Sequence, residues 1–234
     1  MTYNGKIVLI TGTSRGVGNK LAEYYLKENA TVIGISTSNF SLNGLYDHYK
    51  CDLSNGNEIK DTFRKISKNH SCIDIVINNA AILTSQYSLI MPVKNAEDMV
   101  KTNLLGTFFV SREAAKLMRK SEYGRIINIG SMAVSLEPKG DSIYAACKAG
   151  IGTITNIMAK ELSTYKITCN TLGITAIETD MLNQLPREKI DEIIKTLPIP
   201  RYATINDIIN VINFFCSEKS SYITAQTIYL GGIH

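Results

Sequence analysis

Short, uninterrupted apolar runs alternate with helical periods from one end of the 234-residue sequence to the other. Strands are expected at 6–11, 31–36, 48–51, 73–78, 124–130, 167–173 and 227–230. They are β-branched and continuous rather than alternating, as strands covered on both faces must be. Helical periods fall between them at 17–28, 56–68, 96–120, 142–165 and 205–217. This repetition predicts an α/β fold, a doubly wound parallel sheet of about seven strands with helices on both faces. Proline is sparse and clusters at Pro186, Pro198 and Pro200, where a loop and a short helix are expected. With no repeat, low-complexity tract or linker, residues 1–234 read as a single domain, with 174–202 the candidate substrate loop.

Composition narrows the partners. A net charge of +4 without blocks of like charge argues against nucleic acid or a membrane surface. No apolar run reaches the ~18–20 residues of a membrane span, and the first residues lack a signal-peptide pattern. The five cysteines are odd in number and scattered, and the three histidines are dispersed. Neither a disulfide framework nor a metal site is expected, and the chain reads as cytoplasmic with reduced thiols.

The first strand runs into Thr11-Gly-Thr-Ser-Arg-Gly-Val-Gly18, which opens a helix. Gly12, Gly16 and Gly18 provide a tight turn, close backbone approach to a pyrophosphate and close helix–strand packing, with Ser14, Arg15 and Val17 between them. The spacing differs from the commonest dinucleotide fingerprint. At the end of the second strand, Ser36-Thr-Ser-Asn39 has no acid to bind a bare adenosine ribose. Hydroxyl donors there, Thr37 among them, together with Arg15 suit a 2′-phosphate, so NADP(H) is the expected cofactor. Asp52, followed by Leu53, ends the third strand, where it can accept from the adenine amine. Asn79 and Ala80 follow the fourth, at the edge where ligands of open α/β sheets bind. Asn103 lies mid-helix, a mildly unfavourable place that suggests a polar role.

After the fifth strand come Ser131 and a small-residue helix containing Tyr144-Ala-Ala-Cys-Lys148, with Asp141 or Ser142 as its expected cap. One helical turn sets Tyr144 and Lys148 at ~5–6 Å between Cβ atoms. A free tyrosine, with a pKa of about 10, is a poor proton shuttle near neutrality. A unit positive charge ~6 Å away, at an effective dielectric of ~20, favours the phenolate by about 3 kcal/mol, or about two pKa units. Ser131 could hold the oxygen that receives the proton. Taken alone, a Tyr-x-x-x-Lys also fits a solvated helix face.

Together with Asn78-Asn-Ala80, Asn103, Ile177-Glu-Thr-Asp-Met181 and Tyr222-Ile-Thr224, these motifs make the sequence resemble the short-chain dehydrogenase/reductases of Rossmann fold. It is most similar to the bacterial 3-oxoacyl-(acyl-carrier-protein) reductases, over essentially Gly5 to Gly232. The resemblance implies Tyr144 as general acid/base and Lys148 as the group that lowers its pKa while binding the nicotinamide ribose. It implies Ser131 on the substrate oxygen and Asn103 anchoring a water in a proton relay to Lys148. Ile177 and Thr179 would hold the nicotinamide carboxamide, and Thr37 with Arg15 the 2′-phosphate. The implied substrate is a small carbonyl or alcohol, carrier-linked or a keto-sugar or other ketone, and the implied assembly a homodimer or homotetramer through the two long helices. A non-catalytic NADP-binding regulator would have no need of the Tyr–Lys pair. The chain departs from the family at Ala81 for a glycine and at Ile174-Thr175 for Pro-Gly. It departs again at Gly231-Gly-Ile233 near the C-terminus, and at Glu122 and Tyr165, where carrier reductases place cations.

Overall fold

The computed structural model describes residues 3–177 and 187–232. Thr179, Ile233 and the stretch 178–186 of the expected substrate loop lie outside the described residues. Seven strands are seen: β1 (Ile7–Thr11), β2 (Thr31–Ser36), β3 (Tyr46–Lys50), β4 (Ile75–Asn78), β5 (Gly124–Ser131), β6 (Ile167–Ile174) and β7 (Thr227–Tyr229). All pair in parallel in the order β3-β2-β1-β4-β5-β6-β7. The order reverses between β1 and β4, which opens a crevice at the carboxyl ends of those two strands.

Strand residues divide between two cores. Val8, Ile10, Ile75, Ile77 and Ile127 face one way, against Leu21 and Tyr25 of α1 (Gly16–Lys27) and Ile208, Ile212 and Phe215 of α8 (Ile205–Cys216). Leu9, Val76 and Ile126 face the other, against Ile59, Phe63 and Ile66 of α2 (Gly56–Asn69). That face is completed by Val110 and Met118 of α4 (Thr107–Met118) and Met158 of α6 (Ser142–Leu162). Continuous apolar strands follow directly, because both sides of every central residue need cover.

The helix expected at 96–120 is longer and irregular. It begins as α3 (Val93–Met99), widens into a π-helical stretch at Val100–Gly106 and continues as α4. A one-turn helix α5 (Ala133–Leu136) follows β5, and α7 (Arg187–Thr196) supplies the short helix expected among the prolines. Ala81 is not among the residues with positive φ, so its methyl is accommodated where relatives carry glycine. Of the apolar residues on the two long helices, Ile151 is buried, Phe108, Phe109 and Ile154 are half-buried against the core that α2 and α4 cover, and Ile157 is exposed. Leu104 packs against Gly150, where an added Cβ would lie 2.9 Å from its Cδ1. Among the described residues, no helix is long and apolar enough to cross a membrane.

Candidate active site

The glycine turn forms because three constraints meet there. Gly12 and Gly16 adopt φ of +76° and +60°, the left-handed region that favours glycine. Gly18 has no such φ, but a Cβ on it would lie 2.3 Å from the Gly12 carbonyl oxygen. The turn is tied to the loop after β4: Thr11 Oγ1 accepts from the backbone N–H groups of Asn79 and Ala80, each at 3.0 Å, and Asn79 Nδ2 donates to the Thr11 carbonyl at 2.9 Å. α1 starts at this turn with no side-chain cap and no acid in its first turn. Its amino end therefore presents uncapped backbone N–H groups and a partial positive charge, a favourable place for an anion.

From this turn a cavity of about 750 Å³ runs along the strand ends to Tyr144 and Lys148. It is lined by Gly12, Ser14, Arg15, Gly16, Val17, Thr37, Asp52, Leu53, Asn79, Ala80, Ser131, Tyr144, Lys148 and Ile177. Residues expected from separate motifs across the sequence thus share one wall. Gly18 does not line it; it acts by letting Gly12 and Asn79 close in. A dinucleotide fits this set, with an uncapped helix terminus at one end, an acid-free β2 end beside Arg15, and a Tyr–Lys pair at the other.

At the far end, Ser131, Tyr144 and Lys148 are all buried, at 8%, 9% and 4% exposure. Lys148 Nζ donates to the Ile129 carbonyl at 2.7 Å and lies 5.8 Å from the Tyr144 ring centroid. Ser131 Oγ accepts from the Ala133 N–H at 3.1 Å. The electrostatics differ from the simple pair picture, in which Lys148 depresses the phenol. Burial instead pushes Tyr144 up to about 12; a hydrogen bond with Ser131 pulls it down, and Asp141 and Cys147 push it further up. Burial likewise brings Lys148 down to about 8, against an opposing influence from Cys147. Desolvation disfavours the charged form of both groups and is the largest influence on each.

Asn103 is fully buried but does not line the cavity. Its side-chain amide is engaged at both ends: Nδ2 donates to the Ile82 carbonyl and Oδ1 accepts from the Ile82 N–H, each at 2.8 Å. It sits in the π-helical stretch, a rare local form frequent at functional sites, and fastens the loop after β4. The cavity is also lined by Ser85, Leu136 and Pro138, which the sequence did not single out, and by Ile190 and Ile193, which lie within the expected substrate loop 174–202 but were not named individually. The isoleucines were detectable, since Ile190, Ile193 and Ile194 repeat at helical spacing. Asp141, expected as a cap, occupies the N-cap position of α6, but its side chain makes no capping hydrogen bond and it lines the cavity instead.

Residues 6–190 match the family model described as short chain dehydrogenase. The 3-oxoacyl-[acyl-carrier-protein] reductase FabG of Escherichia coli is 32% identical, over 99% of this chain and 98% of its own. The enzyme of that name from Vibrio cholerae is 31% identical over the same shares. Among solved structures, the aldohexose dehydrogenase of Thermoplasma acidophilum superposes with a TM-score of 0.90 at 26% identity, covering 98% of this chain and 94% of that one. A putative gluconate dehydrogenase from Agrobacterium tumefaciens gives 0.91 at 27%, covering 99% and 96%.

Proposed function

The chain belongs to the short-chain dehydrogenases, nicotinamide-dependent oxidoreductases of CH–OH and C=O groups, and on that premise we propose that it reduces a small carbonyl substrate to a secondary alcohol with NADPH. The observation that carries the reading is the convergence of Ser131, Tyr144 and Lys148 at one end of a cavity whose other end is the glycine turn. Gly12, Ser14, Gly16 and Val17 would hold the pyrophosphate, Arg15 and Thr37 the 2′-phosphate, and Asp52 and Leu53 the adenine. Asn79 and Ala80 would flank the middle of the dinucleotide, and Ile177 and Thr179 its carboxamide. Bound NADPH supplies the hydride. Ser131 holds the substrate oxygen, and Tyr144 donates the proton that oxygen takes up. Lys148 stabilises the phenolate left behind. Asn103 is a positioning residue, acting through Ile82.

Two features support a substrate free of a carrier. Glu122, where a carrier-docking cation would stand, is paired with Lys166 at 2.9 Å. Nearby Arg119 stacks over Tyr165 at 5.4 Å, and Lys116 is paired with Glu113 at 2.7 Å. Three of the four nearby cations, Lys116, Arg119 and Lys166 but not Lys120, are already engaged, which weakens attraction for an acidic carrier. Exposed Leu105 and Ile157, beside half-buried Phe108 and Phe109, support pairing of the long helices in a homodimer or homotetramer. The five unpaired cysteines suit the cytoplasm. NADPH oxidation measured against simple ketones, keto-sugars, and 3-oxoacyl thioesters with and without a carrier tests the proposal. Turnover of at least one class is expected, and silence across the panel would refute it.

Arg15→Ala is expected to narrow the preference for NADPH over NADH by about 10–100-fold, the value of charge-assisted contacts to a phosphate. Fluorescence titration of both cofactors reads this directly; equal affinities in the unaltered protein would remove the basis for NADP(H).

The pH profile follows from Lys148. Its burial-lowered pKa of about 8 leaves the ammonium charged below that pH and neutral above it. Reduction should therefore be level from about pH 6 to 7.5 and decline as pH rises through 8, when the phenolate loses its support. A reductive kcat/KM that climbs through pH 9 would contradict this role.

A further inference from the structure

The N-cap position of α6 holds a carboxylate that does not cap the helix. Elsewhere the side chains of Asn55 and Thr204 cap α2 and α8 by accepting backbone N–H groups. Asp141 starts α6 through its backbone, its carbonyl accepting from the Ala145 N–H at 2.8 Å, while its side chain caps nothing. The residue is 7% exposed and, three positions before Tyr144, lines the cavity that Ser131 also lines. Its Oδ1 is enclosed and has no hydrogen-bond partner among the described residues, a rare condition for a buried acceptor. Burial holds the carboxyl above its usual range, while Ser85 hydrogen-bonds it and pulls the other way. Ser85 is kept there by the neighbouring Gln86 N–H, which donates to the Gly140 carbonyl at 2.9 Å.

We propose that Asp141 is a specificity-determining residue whose carboxylate accepts a hydrogen bond from a hydroxyl beside the substrate carbonyl, so that hydroxyketones and keto-sugars are preferred over simple ketones. The inference rests on the reductase reading and narrows its substrate class. A neutral donor fits better than a cation. Lys139 already supplies a cation among the lining residues, and the lining pair Lys94 and Asp98 neutralise one another at 2.6 Å. Discrimination arises because a ketone lacking the hydroxyl occupies the site while leaving the carboxylate without that donor.

The test compares matched pairs: 1-hydroxypropan-2-one against propan-2-one, and 4-hydroxybutan-2-one against butan-2-one, with NADPH. The ratio of kcat/KM, hydroxylated over plain, should exceed tenfold for at least one pair. It should collapse by about tenfold in Asp141→Leu and fall less in Asp141→Asn, which keeps an acceptor of the same shape. Comparing ratios between variants cancels the intrinsic reactivity of the hydroxyketones. A binding measurement keeps the outcome independent of turnover. Calorimetric titration of the NADP-loaded protein should show propane-1,2-diol binding at least tenfold tighter than propan-2-ol, with the difference lost in Asp141→Leu. Folding of each variant is checked by its melting temperature and cofactor titration. Ratios that do not move between the unaltered protein and Asp141→Leu, in turnover or in binding, overturn the proposal. Turnover of plain ketones with no preference refutes Asp141's role while leaving the reductase reading standing.

Discussion

Replacing Tyr144 by phenylalanine is expected to reduce NADPH-dependent carbonyl reduction by about 10²–10⁴-fold, the usual contribution of a positioned general acid. The fall corresponds to about 3–5 kcal/mol of transition-state stabilisation. The fold should not follow. The ring packs among Met99 and Ala133, contacts that phenylalanine keeps, and only the hydroxyl with its bond to Ser131 disappears. Removing a buried hydroxyl whose partner can turn elsewhere is close to neutral for stability. Melting temperature and cofactor affinity should therefore stay within experimental spread while kcat collapses. Undiminished turnover would mean that the proton comes from another group, and the assignment of this end of the cavity would fail. With burial pushing its pKa up to about 12, Tyr144 carries its proton at neutral pH, the state that reduction requires, but it is a weak acid whose phenolate needs stabilising by its surroundings.

The central architecture was legible because its signals are local. Strands such as Thr31–Ser36, a run of β-branched and small residues, are covered on both faces and leave no period to misread. Glycines mark the βα turn by backbone demands that few other residues meet. What escaped were features decided by tertiary context. The π-helical widening at Val100–Gly106 has no propensity signature; it is visible only once Asn103 is seen clasping both backbone groups of Ile82. Asp141 was readable as an N-cap by residue type, yet whether a cap residue turns its carboxylate to the helix or into a cavity depends on neighbours such as Ser85 that are distant in sequence. The Tyr–Lys pair illustrates a third limit. Helical spacing fixes their separation, but the protonation of each depends on its burial, which spacing does not give and which here is the largest influence on both.

Gly18→Ala should produce the largest loss of stability and of cofactor binding together. The added methyl would stand 2.3 Å from the Gly12 oxygen, 2.5 Å from Asn79 Nδ2 and 2.8 Å from the Gly12 carbonyl carbon. Two of these neighbours are backbone atoms, and neither can yield cheaply. Gly12 is held by its N–H bond to the Ile35 carbonyl at 2.7 Å, and Asn79 by its bond to Thr11. Overpacking against fixed backbone typically costs about 1–3 kcal/mol, which in a chain of this length lowers the melting temperature by roughly 2–12 °C. The same displacement moves the turn that would receive the pyrophosphate, so affinity for NADPH should fall at least ~100-fold, about 2.7 kcal/mol. Differential scanning fluorimetry with and without NADPH separates the two effects: the cofactor-free transition reports the packing, and the lost ligand-induced shift reports the binding. If the variant melts as the unaltered chain does but no longer responds to NADPH, the glycine serves the ligand alone. If it melts lower yet binds normally, the anion is held somewhere other than the amino end of α1.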